Sequence, residues 1–265
     1  MGGAILRALA AGDAFSPLRI LVCDAAPGRA EALAAQSGGS VEPAPSAEAV
    51  AAASPDAILL AVRPADLDGA CAQIRAGLRP AGASPLFLSI AAGRTTGWIE
   101  DRLPQGARVI RVMPNLGVTV GLGASAYAPG ANATEADLAL ADKILSSFGL
   151  AIRMEESRLD AVTALSGSGP AFFAWVLRAL ADGGVALGLS REAADALAMQ
   201  TFLGTATVLS RPGAQSPSTF IDAVATPGGI TAAGKAVLDA SDASAVLAAT
   251  LKAAADRAAE LAAQP

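Results

Sequence analysis

Short, unbroken apolar runs alternate with alanine-rich helical patterns over the first two thirds of the chain. Arg19-Ile20-Leu21-Val22-Cys23, Ala57-Ile58-Leu59-Leu60-Ala61-Val62, Leu86-Phe87-Leu88-Ser89-Ile90 and Arg108-Val109-Ile110-Arg111-Val112 read as strands, with a further one from Gly149 to Met154. Runs of this kind fit strands buried on both faces. Gly28 to Gln36 and Asp66 to Leu78 read as helices between them. Strands alternating with helices predict an α/β fold with a doubly wound, mostly parallel sheet.

The pattern changes near Glu155-Glu156, after which only helices are predicted. Ser168 is placed to cap a helix with Pro170 in its first turn, and Gly183-Gly184 to end it. Ala171-Phe172-Phe173-Ala174-Trp175-Val176-Leu177 has no polar face, which predicts burial inside a fold or a subunit interface. Ser190 opens a second helix that runs towards Ser210 and stops at Pro212. The last, from about Asp242, spaces Leu247, Leu251, Ala254, Ala258 and Leu261 as a narrow stripe suited to close helix packing. So much apolar helical surface predicts a homodimer.

Composition narrows the chemistry. Hydrophobic residues make up 53% and charged ones 16% of 265 residues, enough for a sizeable core and nearly two domains. A net charge of −5 without a dense basic stripe argues against nucleic acid or an anionic membrane as partner. Histidine is absent, which excludes Ser-His-Asp, Cys-His and imidazole–metal mechanisms within one chain. Cys23 and Cys71 have no paired spacing, so neither a metal site nor a disulfide framework is predicted. The longest uncharged stretch, Val112 to Thr134, is broken by prolines and glycines and cannot be a membrane span. MGGAILRAL lacks the basic start of a signal peptide, so a soluble, cytoplasmic protein is the expectation.

Ligands of doubly wound folds sit at the carboxyl ends of the strands. Cys23-Asp24, Arg63-Pro64, Ala91-Ala92-Gly93 and Met113-Pro114-Asn115 occupy those ends here. Small residues and prolines would let a flat cofactor approach the backbone, although at any one site they can simply end a strand. Gly2-Gly3 opening a helix resembles the end of a phosphate loop, with Asp24 about 20 positions on for a ribose hydroxyl; a turn or cap role for Asp24 is the plainer alternative. In the helical part, Ser166-Gly167-Ser168-Gly169-Pro170 and Ala225-Thr226-Pro227-Gly228-Gly229-Ile230-Thr231 each open a helix. The second loop would suit an anion such as a carboxylate, with Thr231 presenting a hydroxyl; a plain tight turn with Thr231 as N-cap fits equally.

Taken in order, Ala61 to Pro64, Ser89 to Gly93, Arg111 to Asn115, Leu159 to Ala171, Gln200 to Gly204 and Thr226 to Gly229 resemble the pyrroline-5-carboxylate reductases, over essentially the whole chain. The resemblance implies a Rossmann-like dinucleotide-binding domain over 1–155 and a helical dimerisation and substrate domain over 156–265. It implies reduction of 1-pyrroline-5-carboxylate to L-proline, the last step of proline biosynthesis, with NADPH or less often NADH. The Gly228–Thr231 loop of one subunit, with Gly229 and Ile230, would hold the substrate carboxylate, and Thr231 would stand near the ring nitrogen. Glu156 and Ser168 would line the substrate pocket. Gly2, Asp24, Arg29 and Ser46 would serve the phosphate and adenosine end of the cofactor. Ala61, Val62, Arg63, Pro64, Ala91, Ala92 and Gly93 would contact its pyrophosphate–nicotinamide part, and Met113 and Asn115 would also bind the cofactor.

The chain departs from the family in places. Arg63 stands where lysine is usual, Thr226 where serine is, and Ile230 where a smaller or hydroxyl residue is common. Asp24 would repel a 2′-phosphate and Arg29 would attract one. The family's first strand and complete phosphate loop would precede Met1, and without that strand sheet edges would stand unpaired. The alternatives are a non-catalytic dimeric relative with a defective cofactor site, and a reductase of another small cyclic imine. A hydroxyacid dehydrogenase fits poorly, because the helix after Gly169 carries no lysine.

Overall fold

A computed structural model of the chain describes residues 1–12, 15, 19–38, 40–79 and 84–262. It divides into two compact units: Met1–Ser168 together with the residues from Ala254 onwards, and Gly169–Ala253.

The first unit is an α/β fold. Its strands are β1 (Ile20–Val22), β2 (Val41–Pro43), β3 (Ala57–Leu60), β4 (Leu86–Ser89), β5 (Arg108–Met113), β6 (Gly123–Pro129) and β7 (Gly149–Arg153). β1 and β2 form a parallel pair; β3 to β7 form a second sheet in sequence order, parallel except where β6 runs antiparallel to β5. β1 and β3 share no hydrogen bonds, so the sheet is in two pieces. β2 and β6 were not predicted. β6 is Gly-Ala-Ser-Ala-Tyr-Ala-Pro, whose small residues give no apolar run, and β2 is only three residues long.

Helices α1 (Gly2–Ala11), α2 (Arg29–Ser37), α3 (Ala47–Ala52), α4 (Leu67–Gly77), α5 (Thr96–Glu100) and α6 (Glu135–Ser146) connect these strands. The central strands are apolar on both faces. Leu86, Leu88, Ile110 and Val112 point into one core with Ile5 of α1 and Leu138, Ala141 and Leu145 of α6. Phe87 and Val109, at the alternate positions, point into the other with Leu67, Cys71 and Ile74 of α4 and Ile99 of α5. This period-2 division between two helical layers makes the sheet doubly wound. A half-buried strand would have shown alternation instead.

No strand follows Arg153 among the described residues. A single 3-10 turn (Glu156–Arg158) leads into α7 (Leu159–Val162), then a π-helical turn over Thr163–Gly167. The second unit contains α8 (Gly169–Ala186), α9 (Arg191–Leu209), α10 (Pro217–Val224), α11 (Ile230–Asp239) and the start of α12 (Ala243–Ala262). Ser190 caps α9 as expected, its Oγ accepting from Ala193 N–H. The Ser168 hydroxyl donates back to the Thr163 carbonyl across the π turn. One local expectation is corrected. Gly183-Gly184 does not end α8, which continues to Ala186; a Cβ on Gly184 would lie 3.4 Å from the Ala194 Cβ of α9, so the absence of a side chain there eases the approach of the two helices.

The helical unit has almost no interior of its own. Ala181 and Ala194 are its only buried hydrophobic side chains among the described residues. Trp175 is 59% exposed and Leu187 89%. The apolar Ala171–Leu177 stretch is therefore not buried within a single chain. Phe173 meets Phe202 with ring centroids 5.8 Å apart, a tilted pair that is itself half exposed.

Candidate active site

The carboxyl ends of β3 and β4 border a cavity of about 470 Å3. Pro64 and Ala65 line it from the turn after β3, Ala92 and Gly93 from the loop after β4, Asp160 and Thr163 from α7 and the π turn. Ala258 and Leu261, in the last turns of α12, complete the wall. Gly93 has φ +74°, and a Cβ there would lie 3.2 Å from both the backbone nitrogen and Cα of Ala262. The left-handed conformation and the close approach both require glycine.

Gly2 stands against the same edge. A Cβ on it would lie 2.7 Å from the Cβ of Ala61, so the first turn of α1 abuts the residue that follows β3. No side chain caps that turn. Beyond β1, Asp24 accepts from Ala26 N–H at 2.9 Å and pairs with Arg29 at 3.1 Å. Burial, with a contribution from Asp24, pushes the neighbouring Cys23 thiol up, so it stays protonated and unreactive at neutral pH.

Several residues at the strand ends also do local structural work. Ser46 caps α3, its Oγ accepting from Ala49 N–H. Arg63 is exposed and holds Asp66 at 2.7 Å, while Val62 is 38% exposed. The Asn115 side-chain oxygen accepts from Gly117 N–H and Ala124 N–H, tying the loop after β5 to β6. Met113 reaches towards Gly167, since a Cβ on that glycine would lie 3.6 Å from the Met113 methyl. That contact brings the Ser166–Ser168 turn to the end of β5.

A polar cluster lies behind the cavity. Thr96 donates its backbone N–H to Glu156 at 2.7 Å and its hydroxyl to the same carboxylate at 2.8 Å. Arg111, whose side chain is 7% exposed, pairs with Glu156 at 3.5 Å and with Asp160 at 3.3 Å. Sequence reasoning gave Thr96, Arg111 and Asp160 no role. A charged Arg111 inside the apolar run Val109-Ile110-Arg111-Val112 was the available signal, because a buried guanidinium demands partners.

In the helical unit, the predicted loop turns into α11 at Gly229, the residue preceding the helix, with Gly228 at φ +75°. No side chain caps α11, so Thr231 is not its N-cap but lies within its first turn. Thr231 is exposed within the unit and Ile230 is 95% exposed.

Residues 156–261 match a family model described as pyrroline-5-carboxylate reductase dimerisation, and residues 1–93 match one described as NADP oxidoreductase, coenzyme F420-dependent. A pyrroline-5-carboxylate reductase of Synechocystis is 39% identical over 239 residues, which is 90% of this chain and 86% of that protein. The chain belongs to the pyrroline-5-carboxylate reductase family. The reductase of Methanosarcina acetivorans is 44% identical over 68% of this chain and 65% of its own length. Among solved structures, the reductase of Coxiella burnetii superposes with a TM-score of 0.90 at 30% identity, over 98% of this chain and 94% of that one. The Plasmodium falciparum pyrroline carboxylate reductase with NADP bound superposes with a TM-score of 0.83 at 26% identity, over 99% and 95%. Within this reductase family, the model described by dimerisation takes in the helices that leave Trp175 and Leu187 exposed, which gives that apolar surface its explanation.

Proposed function

We propose that this chain reduces 1-pyrroline-5-carboxylate to L-proline with NADPH, as a homodimer formed through its C-terminal helices. The observation that carries the reading is the cavity at the carboxyl ends of β3 and β4, in a chain of this family. The residues there fit a dinucleotide. Gly93 lines the cavity without a side chain, the first turn of α1 is uncapped, and Asp24 and Arg29 stand beyond β1.

Bound NADPH supplies a hydride to the imine carbon, and the π pair of the C=N bond becomes the lone pair of the product amine. The protonated imine carries its own electrophilic activation, so the protein needs no histidine and no metal. Its task is placement. Ala91 to Gly93 and Ala61 to Pro64 offer flat backbone to the nicotinamide side. Ser46 stands towards the adenosine end, and Met113 and Asn115 border the exit of β5. Gly228 and Gly229 present backbone N–H groups at the start of α11, whose dipole favours the substrate carboxylate. Thr231 offers its hydroxyl to the ring nitrogen, beside Ile230, and Ser168 serves the substrate in its own right.

The test is NADPH oxidation by the purified chain with 1-pyrroline-5-carboxylate, with proline identified as product. Saturable turnover yielding proline is the expected result. NADPH bound but no proline formed would overturn the reading.

A further inference from the structure

We propose that Glu156 is a positioning residue that acts on the cofactor-side loop, not a ligand of the substrate; the inference rests on the reductase reading above. Its carboxylate is already engaged by donors of the protein. Thr96 N–H lies 2.7 Å from one oxygen, the Thr96 hydroxyl 2.8 Å from the other, and Arg111 3.5 Å from the first.

What Glu156 holds explains why it is there. α5 is a single short helix, and Thr96 N–H belongs to its first turn, where backbone donors have no partner inside the helix. Thr95 caps the helix by accepting from Trp98 N–H, which leaves Thr96 N–H to be met from elsewhere. Glu156 reaches in from 60 residues further along the chain to accept it. The loop from Ile90 to Thr95 is thereby fastened at both ends. Ile90 N–H donates to the Leu60 carbonyl at 3.2 Å on the strand side, and Thr96 is clamped on the helix side. Ala92 and Gly93, between these anchors, line the cavity.

The same carboxylate works in a second direction. Glu156 and Asp160 share the buried guanidinium of Arg111, and Asp160 lines the cavity. Arg111 thus spans from Glu156 to the cavity wall, and the two walls of the cavity, the β4–α5 loop and the start of α7, are tied through one cluster. Arg111 is buried and its two carboxylate partners are partly so; such a cluster is rigid only while every member is satisfied.

Four variants test this: Glu156→Ala, Thr96→Val, the two combined, and Thr96→Ser. Steady-state rates are read with saturating NADPH, and amide hydrogen exchange over residues 91–96 is read on the protein without ligands. Glu156→Ala is expected to lower kcat about 10- to 100-fold, the scale of an ångström-level misplacement, with KM for the imine changed less than about twofold. Thr96→Val is expected to lower kcat by a smaller factor, and the double variant to be no worse than Glu156→Ala alone, because the lost interactions are shared. Thr96→Ser keeps both donors and is expected to keep wild-type kcat. Exchange of the Thr96 amide is expected to accelerate in Glu156→Ala. The proposal is overturned if Glu156→Ala raises the imine KM while kcat and Thr96 exchange stay at wild-type values, or if the two single effects multiply. Should the wild-type chain fail to reduce the imine, the functional reading falls, while the Thr96 exchange rate still decides whether the clamp exists.

Discussion

Asp137 is 3% exposed and faces Arg108 at 2.6 Å across the gap between α6 and β5. It also receives the Thr134 N–H at 2.9 Å and the Thr134 hydroxyl at 2.6 Å, closing the capping box of α6. Arg108 continues the chain of bonds to the Ser84 carbonyl, ahead of β4. One carboxylate therefore joins a helix start to two adjacent strands. Removing it leaves a guanidinium and two cap donors short of a partner. Asp137→Ala is expected to cost roughly 2–4 kcal/mol of stability, measured by denaturant unfolding. Asp137→Asn, which keeps an acceptor for the cap, is expected to cost less.

Gly93→Ala combines two penalties at the cavity. A side chain would be forced to φ +74°, and its Cβ would press on the backbone of Ala262 at 3.2 Å. The left-handed conformation alone costs about 1–2 kcal/mol. The variant is expected to melt at a lower temperature and to bind NADPH more weakly, read by calorimetry and by cofactor titration. Wild-type affinity would show that the loop after β4 does not contribute to cofactor binding.

Asp24 both holds Arg29 and contributes a negative charge beside it. Its other oxygen accepts from Ala26 N–H, a turn bond that asparagine can also make. Asp24→Asn is therefore expected to keep the turn, release Arg29 and remove repulsion towards a 2′-phosphate. The ratio of kcat/KM for NADPH over NADH is expected to rise about tenfold, equivalent to some 1.4 kcal/mol. An unchanged ratio would take this pair out of cofactor selection.

Thr231 lies in the first turn of α11 and is exposed within its unit, so its side chain does no packing work there. Thr231→Ala is expected to lower kcat/KM for the imine about tenfold, the value of one hydrogen bond to a charged group, without lowering the melting temperature. Thr231→Ser is expected to recover most of the rate.

The sheet was legible because β3, β4 and β5 are buried on both faces. Such strands are apolar at most positions, and Ile58, Phe87, Leu88, Val109 and Ile110 carry that pattern openly. β6 was not legible, since Ala126 and Ala128 gain their burial from neighbours supplied by β5 and α7 and not from their own hydrophobicity. The strand-end positions Pro64, Ala92 and Gly93 could be picked out because the chain order of a doubly wound sheet dictates where strands exit.

The sequence alone determined the α/β class, the change to an all-helical region near Glu156, and the family, because hydrophobic period and ordered short motifs are written along the chain. Tertiary structure alone decided that Glu156 meets Thr96, that Arg111 lies between Glu156 and Asp160, and that the end of α12 closes on Gly93. Those contacts join residues tens of positions apart through directional bonds and close packing. Whether an acceptor finds its donor depends on how the layers stack, which no local pattern encodes.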